Sequence, residues 1–301
     1  MPELPEVETI SRQLDQVLKG RKISRIEILS KKNFLGQVED VIGRKIVSIQ
    51  RRAKIILIKL DDSKYLAIHL KLTGQLIYSE GGRGVEGCKE KKSGPFRVCE
   101  LPNKFTTIVV SFNNGGKLYF NDLRKFGWMR IVSQKSKVES RKFKLSDSLD
   151  ETLGLEKFGP EANDKKSFTL DYFRQVLGKS KKPVKLVIMD QEKLAGVGNI
   201  YANEALYVAG VMPTRPANSL KEEEIKTLRY WILRVLEEAI KHKGTSDTDE
   251  AYRQITGEKG DYQNYLQVYG RKGQKCSKCG GEIKWMKVGG RGTFFCGKCQ
   301  R

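Results

Sequence analysis

Long apolar runs are missing from this sequence. Stretches such as Ile55–Ile58 are a few residues long, whereas a bilayer-spanning helix takes roughly 18 or more, so no transmembrane segment is expected. A secretory signal is missing too. The opening Met1-Pro2-Glu3-Leu4-Pro5-Glu6 carries acid where such a signal has a basic and then an apolar stretch, which points to the cytosol. Acid is scarce overall: 36 Asp plus Glu stand against 57 Lys plus Arg, a net charge of +21 that two histidines do little to alter. A field of that sign favours phosphate polyanions first and anionic membranes second, because each neutralised phosphate releases condensed counterions. A disordered basic tail is excluded by 39% hydrophobic and 9% aromatic residues.

What is present begins with 301 residues, enough for about two domains at roughly 150 residues each. Four of the six cysteines form Cys276-x2-Cys279 and Cys296-x2-Cys299, with sixteen residues between the pairs. Two close pairs joined by a hairpin-length stretch can converge four thiolates on one tetrahedral zinc ion. Two disulfides would need an oxidising compartment, for which there is no targeting signal. Cys88 and Cys99 have neither a second pair nor a nearby histidine and read as free thiols.

Apolar periodicity sets the organisation. Val7, Ile10, Leu14, Val17 and Leu18 recur at helical spacing before Gly20, predicting one amphipathic helix over 5–19. From Lys22 to about Val132 the pattern changes to short β-branched runs, Ile23–Leu29, Ile55–Leu60, Tyr65–Leu70, Thr107–Phe112 and Lys117–Phe120, with Asn113-Asn114-Gly115-Gly116 as a hairpin turn. Seven or so strands suggest a two-sheet sandwich, interrupted by a Gly- and Lys-rich loop over 81–95. Polar residues 133–150 read as a linker, and helices resume near Leu170. A capping box, Ser219-x-x-Glu222, opens a helix with Ile225, Leu228, Ile232, Val235 and Ala239 on one face. Before it, Gly196-Val197-Gly198-Asn199-Ile200 is a sharp turn into a helix whose backbone N–H groups can bind an anion, or a plain helix connection. The last 31 residues carry nine Lys or Arg and one acid, and Gly289-Gly290-Arg291-Gly292 reads as a hairpin tip that presents one arginine.

Chemistry is concentrated at the front. Were Met1 removed, Pro2 would be a terminal secondary amine. An α-amino group with pKa near 8 is roughly 10% neutral at pH 7, against well under about 0.1% for an ordinary lysine. Its attack on a sugar anomeric carbon gives an iminium that has no N–H proton to lose and so remains an electron sink. Glu3 is placed to shuttle protons, and Glu6 either orients that machinery or favours the helix start through its dipole.

PELPEVE at 2–8 is followed by His69-Leu70-Lys71-Leu72-Thr73-Gly74, Asn121-Asp122-Leu123-Arg124-Lys125-Phe126-Gly127, Asp190-Gln191 through Ala195-Gly196-Val197-Gly198-Asn199-Ile200-Tyr201-Ala202, and Val268-Tyr269-Gly270-Arg271. Five blocks in this order, spanning nearly the whole chain, resemble the bacterial formamidopyrimidine-DNA glycosylase family. The resemblance implies an α+β protein: an N-terminal antiparallel β-sandwich over 1–135, a linker over 136–165, a helix-two-turn-helix domain over 166–270 and a four-Cys zinc finger over 271–301, with DNA in the cleft between the halves. It implies a monomeric base-excision repair enzyme that removes 8-oxoguanine and formamidopyrimidines from duplex DNA and then cuts the strand by β,δ-elimination. By the same likeness Pro2 is the Schiff-base nucleophile and Glu3 the acid/base. Lys54 matches a strand lysine on the phosphate beside the lesion, and His69, Asn199, Tyr252 and Arg291 are the other phosphate contacts. Leu72, Arg124 and Phe126 match the side chains that fill the void left by a flipped nucleotide, although Leu72 and Phe126 also suit a sandwich core.

This chain departs from that pattern in three places. Leu72 stands where many relatives carry Met. An insertion covers 80–100, and acidic Asp247, Asp249 and Glu250 enter the stretch over 244–262 that resembles the family's lesion-binding loop. All three bear on base preference. A noncatalytic lesion sensor is the competing class, against which the intact Pro2 and Glu3 argue. The related endonuclease VIII type, acting on oxidised pyrimidines, is disfavoured by Leu4-Pro5-Glu6-Val7 and Arg124-Lys125-Phe126.

Overall fold

The computed structural model describes residues 1–81, 98, 100–133, 153–246 and 252–301. The loop expected over 81–95, most of the polar linker, the two cysteines expected as free thiols, Cys88 and Cys99, and Asp247, Asp249 and Glu250 lie outside the described residues, Gly81 excepted. The chain divides into two compact units, Met1–Glu156 with Lys243–Asp261, and Lys157–His242 with Tyr262–Arg301. Residues 243–261 thus group with the first unit, whereas the sequence reading placed 166–270 in one helical domain.

The first unit opens with α1 (Leu4–Leu18), as its 3.6-residue periodicity requires. Nine strands follow among the described residues: β1 (Ile23–Ile28), β2 (Phe34–Leu35), β3 (Ile46–Arg52), β4 (Ile55–Leu60), β5 (Lys64–His69), β6 (Gly74–Ser79), β7 (Thr106–Phe112), β8 (Lys117–Asp122) and β9 (Trp128–Ser133). They form a four-stranded sheet, β1-β7-β8-β6, and a five-stranded sheet, β2-β9-β5-β4-β3. Every pairing is antiparallel except the short β2–β9 bridge. Ile56, Ile58 and Ile68 of one sheet meet Ile108, Val110, Leu118 and Phe120 of the other in one core, joined by Val7, Ile10, Leu14 and Leu18 of α1. The intervening Val109 and Tyr119 point to the opposite face and pack with Ile77, Val98 and Leu101. Both faces of that sheet are therefore covered, which explains why β7 and β8 read as nearly continuous apolar runs rather than alternating ones. Tyr252 and Ile255 enter the main core, and the Ile255 carbonyl accepts from the Tyr78 N–H at 2.8 Å, so the 243–261 segment packs as part of this unit.

The second unit contains α2 (Leu170–Gly178), α3 (Val184–Met189), α4 (Asn199–Ala209) and α5 (Glu222–Lys241), then the hairpin β10 (Ile283–Val288) and β11 (Arg291–Cys296). The helix expected from a Ser219 capping box starts later. Ser219 closes a short 3-10 turn and donates to the Pro216 carbonyl, while the Lys221 N–H is received by Glu224 at 2.7 Å. Arg215 holds that Glu224 carboxylate from the other side at 2.5 Å, which fixes Lys221 as the N-cap. No described helix is long and apolar enough to cross a membrane.

Candidate functional site

Pro2 and Glu3 lead into α1, and both are buried. The Glu3 N–H donates to one oxygen of Glu6 at 2.8 Å; the other oxygen accepts from the Thr245 N–H at 2.7 Å. Beside Thr245, Gly244 has φ +78°, and a β-carbon there would lie 2.7 Å from Glu6 Oε1. Only glycine fits that close approach. Glu6 thus closes a capping box at the start of α1, and the same carboxylate ties the chain's front to the 243–261 segment.

Lys54 sits in the turn between β3 and β4 rather than within a strand, because Ala53 takes a left-handed conformation (φ 51°) that ends the pairing. Arg51 secures this turn by donating to the Ala53 carbonyl at 2.8 Å and to Glu8 of α1 at 2.7 Å. Burial pushes the Glu8 carboxyl up, but the guanidiniums of Arg51 and Arg12 outweigh it and hold it below the usual carboxylate range. The turn bearing Lys54 is thereby anchored to the helix that follows Pro2 and Glu3.

His69 ends β5, its ring 5.7 Å from that of Trp128. Its Nδ1 accepts the Lys71 N–H at 2.9 Å, so in the neutral ring the proton resides on Nε2. Burial, reinforced by Lys71, Lys54 and Arg130, lowers its pKa to about 3, and the ring is an uncharged N–H donor at neutral pH.

Leu72 lies in the turn from Leu70 to Gly74, and Arg124 and Phe126 in the turn between β8 and β9. Phe126 is 55% exposed and so is no part of the core, and the Arg124 guanidinium stands 5.1 Å from its ring centroid. Each turn contains a lysine in the left-handed region, Lys71 and Lys125, both at φ 54°. Such a conformation in a bulky residue costs on the order of 1 kcal/mol and persists only where surrounding bonds enforce it.

Tyr252 does not reach the surface. Its side chain is only 3% exposed, within the main core, and its hydroxyl donates to the Lys243 carbonyl at 2.8 Å. Burial, with the Glu6 carboxylate nearby, pushes its phenol pKa well up. A phosphate contact from this hydroxyl is therefore corrected to a structural bond that closes the 243–261 segment, reinforced by Ser246 donating to the Tyr252 carbonyl at 2.9 Å.

In the second unit, Asn199 is the first residue of α4, and its carbonyl accepts from Asn203 at 2.6 Å. The turn ahead of it is bracketed by Gln191, which donates to the Met189 and Val197 carbonyls and accepts the Gly196 N–H at 2.9 Å. Arg291 is exposed and begins β11; the hairpin tip itself is Gly289-Gly290, both at positive φ, the conformation of a two-residue primed turn. Behind Arg291, Lys185 of α3 is fully buried and donates to the Gly292 carbonyl at 2.9 Å and to Thr293 Oγ1 at 2.8 Å. A β-carbon on Gly289 would lie 2.5 Å from Leu186, so α3 and the hairpin touch closely. Periodicity alone would leave Lys185 on a solvated face; adjacency to the apolar Leu186-Val187-Ile188 was the one signal for it.

The Sγ atoms of Cys276, Cys279, Cys296 and Cys299 all lie within 4.8 Å of one another, with Cys276–Cys299 at 3.7 Å and Cys279–Cys296 at 3.5 Å. Four sulfurs about 2.3 Å from a tetrahedral zinc stand about 3.8 Å apart, so this donor set fits one structural zinc ion. The Tyr207 hydroxyl lies 3.1 Å from Cys276 Sγ, and Tyr207, Val268, Ile283 and two of the cysteines form the small apolar cluster beneath the site.

Three family models cover most of the chain: formamidopyrimidine-DNA glycosylase N-terminal domain over residues 1–129, formamidopyrimidine-DNA glycosylase H2TH domain over 158–250, and zinc finger found in FPG and IleRS over 273–301. A Pelotomaculum thermopropionicum protein named formamidopyrimidine-DNA glycosylase is 35% identical over 306 residues, covering 100% of this chain and 99% of the relative. A Streptococcus pneumoniae protein of the same name is 37% identical over 305 residues, with the same coverage. Among solved structures, the Thermus thermophilus MutM (Fpg) protein matches with a TM-score of 0.82 at 33% identity, over 99% of this chain and 98% of that one. Lactococcus lactis Fpg in complex with DNA containing an abasic site matches at 0.81 and 33% identity, over 99% of both chains.

Proposed function

The chain belongs to the formamidopyrimidine-DNA glycosylase family, and from that premise we propose that it is a bifunctional DNA glycosylase and abasic-site lyase acting on oxidised purines in duplex DNA. The observation that carries the reading is the front of the chain. Pro2 and Glu3 are adjacent, buried and held by the Glu6 carboxylate, with the Lys54 turn anchored to the same helix.

With Met1 attached, the Pro2 nitrogen is an amide and carries no nucleophilic lone pair; removal of Met1 converts it to a secondary amine. Extrusion of the damaged nucleotide exposes C1′, which a stacked base would shield. The Pro2 nitrogen then bonds to C1′ as the C1′–N bond to the base breaks, and a proton delivered to the departing base balances its charge. Opening of the sugar leaves an iminium joining Pro2 to C1′. Loss of a C2′ proton expels the 3′ phosphate, a second elimination expels the 5′ phosphate, and water then frees the amine. On this reading Glu3 moves these protons. Lys54 and the neutral His69 of the first unit, with Asn199 and Arg291 of the second, are the proposed phosphate contacts, and Leu72, Arg124 and Phe126 the side chains that occupy the vacated stack. The thiolates of Cys276, Cys279, Cys296 and Cys299 would hold a zinc ion whose part is structural: it would fix the ends of β10 and β11, and with them Arg291. The protein acts as a monomer on this reading.

Borohydride reduction in the presence of duplex DNA carrying 8-oxoguanine opposite cytosine should trap one covalent adduct at the mature amino terminus. Pro2→Gly should weaken trapping, and Glu3→Gln should abolish base removal. Full-speed cleavage by protein that retains Met1 would show that another nucleophile acts.

A further inference from the structure

Asp122 is fully buried at the end of β8, opposite Gly74 at the start of β6. Its carboxylate collects donors from two separate turns. Oδ1 accepts the Thr73 hydroxyl and the Arg124 N–H at 3.1 Å, and Oδ2 accepts the Gly127 N–H at 2.6 Å. Thr73 Oγ1 also accepts the Arg124 N–H at 3.0 Å, closing a triangle between the turns. Thr73 follows Leu72, while Arg124 and Gly127 bracket the segment that carries Phe126. Gly127 is clamped as well: its carbonyl accepts from Asn33 at 2.6 Å, and a β-carbon there would lie 2.7 Å from the Phe120 ring and 3.0 Å from Asp122 Oδ2. The left-handed Lys71 and Lys125 sit one in each turn, so a single carboxylate bridges two of the places where a non-glycine backbone is strained.

We propose that Asp122 is a positioning residue that couples these two turns into one body, so that Leu72, Arg124 and Phe126 enter the base stack together. The proposal rests on the reading of those three side chains as the stack-filling set. Its chemistry is specific to a carboxylate. The three groups that converge on it are all donors, and a carboxylate is an acceptor at both oxygens; an asparagine in either flip turns an N–H toward one of them.

The test compares two substrates in single turnover, duplex with 8-oxoguanine opposite cytosine and the same duplex with a preformed abasic site. An abasic nucleotide has no base to unpair, so its cleavage depends less on stack filling. Asp122→Asn should slow base excision about tenfold or more while abasic-site cleavage changes less than about threefold with KM unaltered, a split that a general loss of stability would not produce. Amide hydrogen exchange should rise in both 70–74 and 123–127. Equal losses on the two substrates, or wild-type excision, would overturn the proposal. Should Asp122→Asn not fold, Thr73→Val removes one of the three donors and should give the same selective loss, smaller in size; no selectivity there overturns the coupling equally. Leu72→Ala runs in parallel. A selective loss in Leu72→Ala without one in the Asp122 or Thr73 variant defeats the coupling alone, whereas unchanged excision in Leu72→Ala defeats the stack-filling reading and the coupling with it.

Discussion

In the first unit the functional side chains sit at the edges of a large apolar core, with strands buried on both faces and α1 packed on them; in the zinc module, the comparable cluster is reduced to Tyr207, Val268, Ile283 and two cysteines. The first unit positions its turns with buried carboxylates that receive backbone N–H groups, Glu6 for the amino terminus and Asp122 for the turns bearing Leu72 and Phe126. The second unit uses the same device at Glu204, a buried carboxylate that receives the N–H groups of Gln267, Val268 and Tyr269, but behind Arg291 it places the buried Lys185 and four cysteines. What sets the zinc module apart follows from its size. A sandwich core buries enough apolar area to support a few desolvated, hydrogen-bonded carboxylates, whereas a module of some thirty residues cannot fold on its apolar contacts and relies on metal bonds instead.

The largest effect that would test this contrast is removal of zinc. Structural zinc supplies about 10–16 kcal/mol of apparent binding energy in small modules. Chelation, or Cys279→Ser, should abolish hydrogen-exchange protection over 273–301 and DNA binding while the first unit melts unchanged; a finger that stays protected without metal would break the comparison. Next in size is Lys185→Ala, which leaves the Gly292 carbonyl and Thr293 without that donor and opens a cavity. A loss of about 3 kcal/mol is expected, read by denaturant melts of the second unit, with DNA affinity falling alongside. Glu6→Gln sharpens the first half of the contrast: the amide can accept only one of the two N–H groups that the carboxylate receives, costing about 1–3 kcal/mol and raising exchange in residues 243–246.

A smaller effect concerns pH. His69 is held neutral in the folded chain, with its pKa lowered to about 3 from 6.5. Between those values the unfolded chain binds a proton that the folded chain does not. The stability this group contributes is complete above pH 6.5 and is lost as pH falls toward 3, by at most about 1.4 kcal/mol per pH unit. Urea melts at pH 7 and pH 5.5 should show a shallower fall in His69→Gln than in the parent protein; identical slopes would contradict a half-buried imidazole held neutral.

Much of the scaffold is legible in the sequence. The opening helix, the β-branched runs and the Asn113–Gly116 hairpin depend on local periodicity and turn chemistry, and the four cysteines on spacing, so each appears where these rules put it. The misreadings share a cause. Ser219 looked like a helix cap because its motif is right, but Arg215 fixes Glu224 and moves the cap to Lys221. The resemblance implies a phosphate contact for Tyr252, yet its phenol turns inward to Lys243. In Asn121-Asp122-Leu123-Arg124-Lys125-Phe126-Gly127 nothing distinguishes the Asp122 carboxylate from the charged residues around it.

Sequence alone determined the metal ligands, the strongly basic balance, the alternation that builds two sheets and the amino-terminal Pro-Glu pair, because those properties reside in composition and in neighbours a few positions away. Only the tertiary structure decided which polar side chains are buried and what they hold. Glu6 meets Thr245 across 239 positions and Thr73 meets Asp122 across 49, and the direction of a carboxylate toward a backbone N–H exists only once distant strands and turns have closed around it.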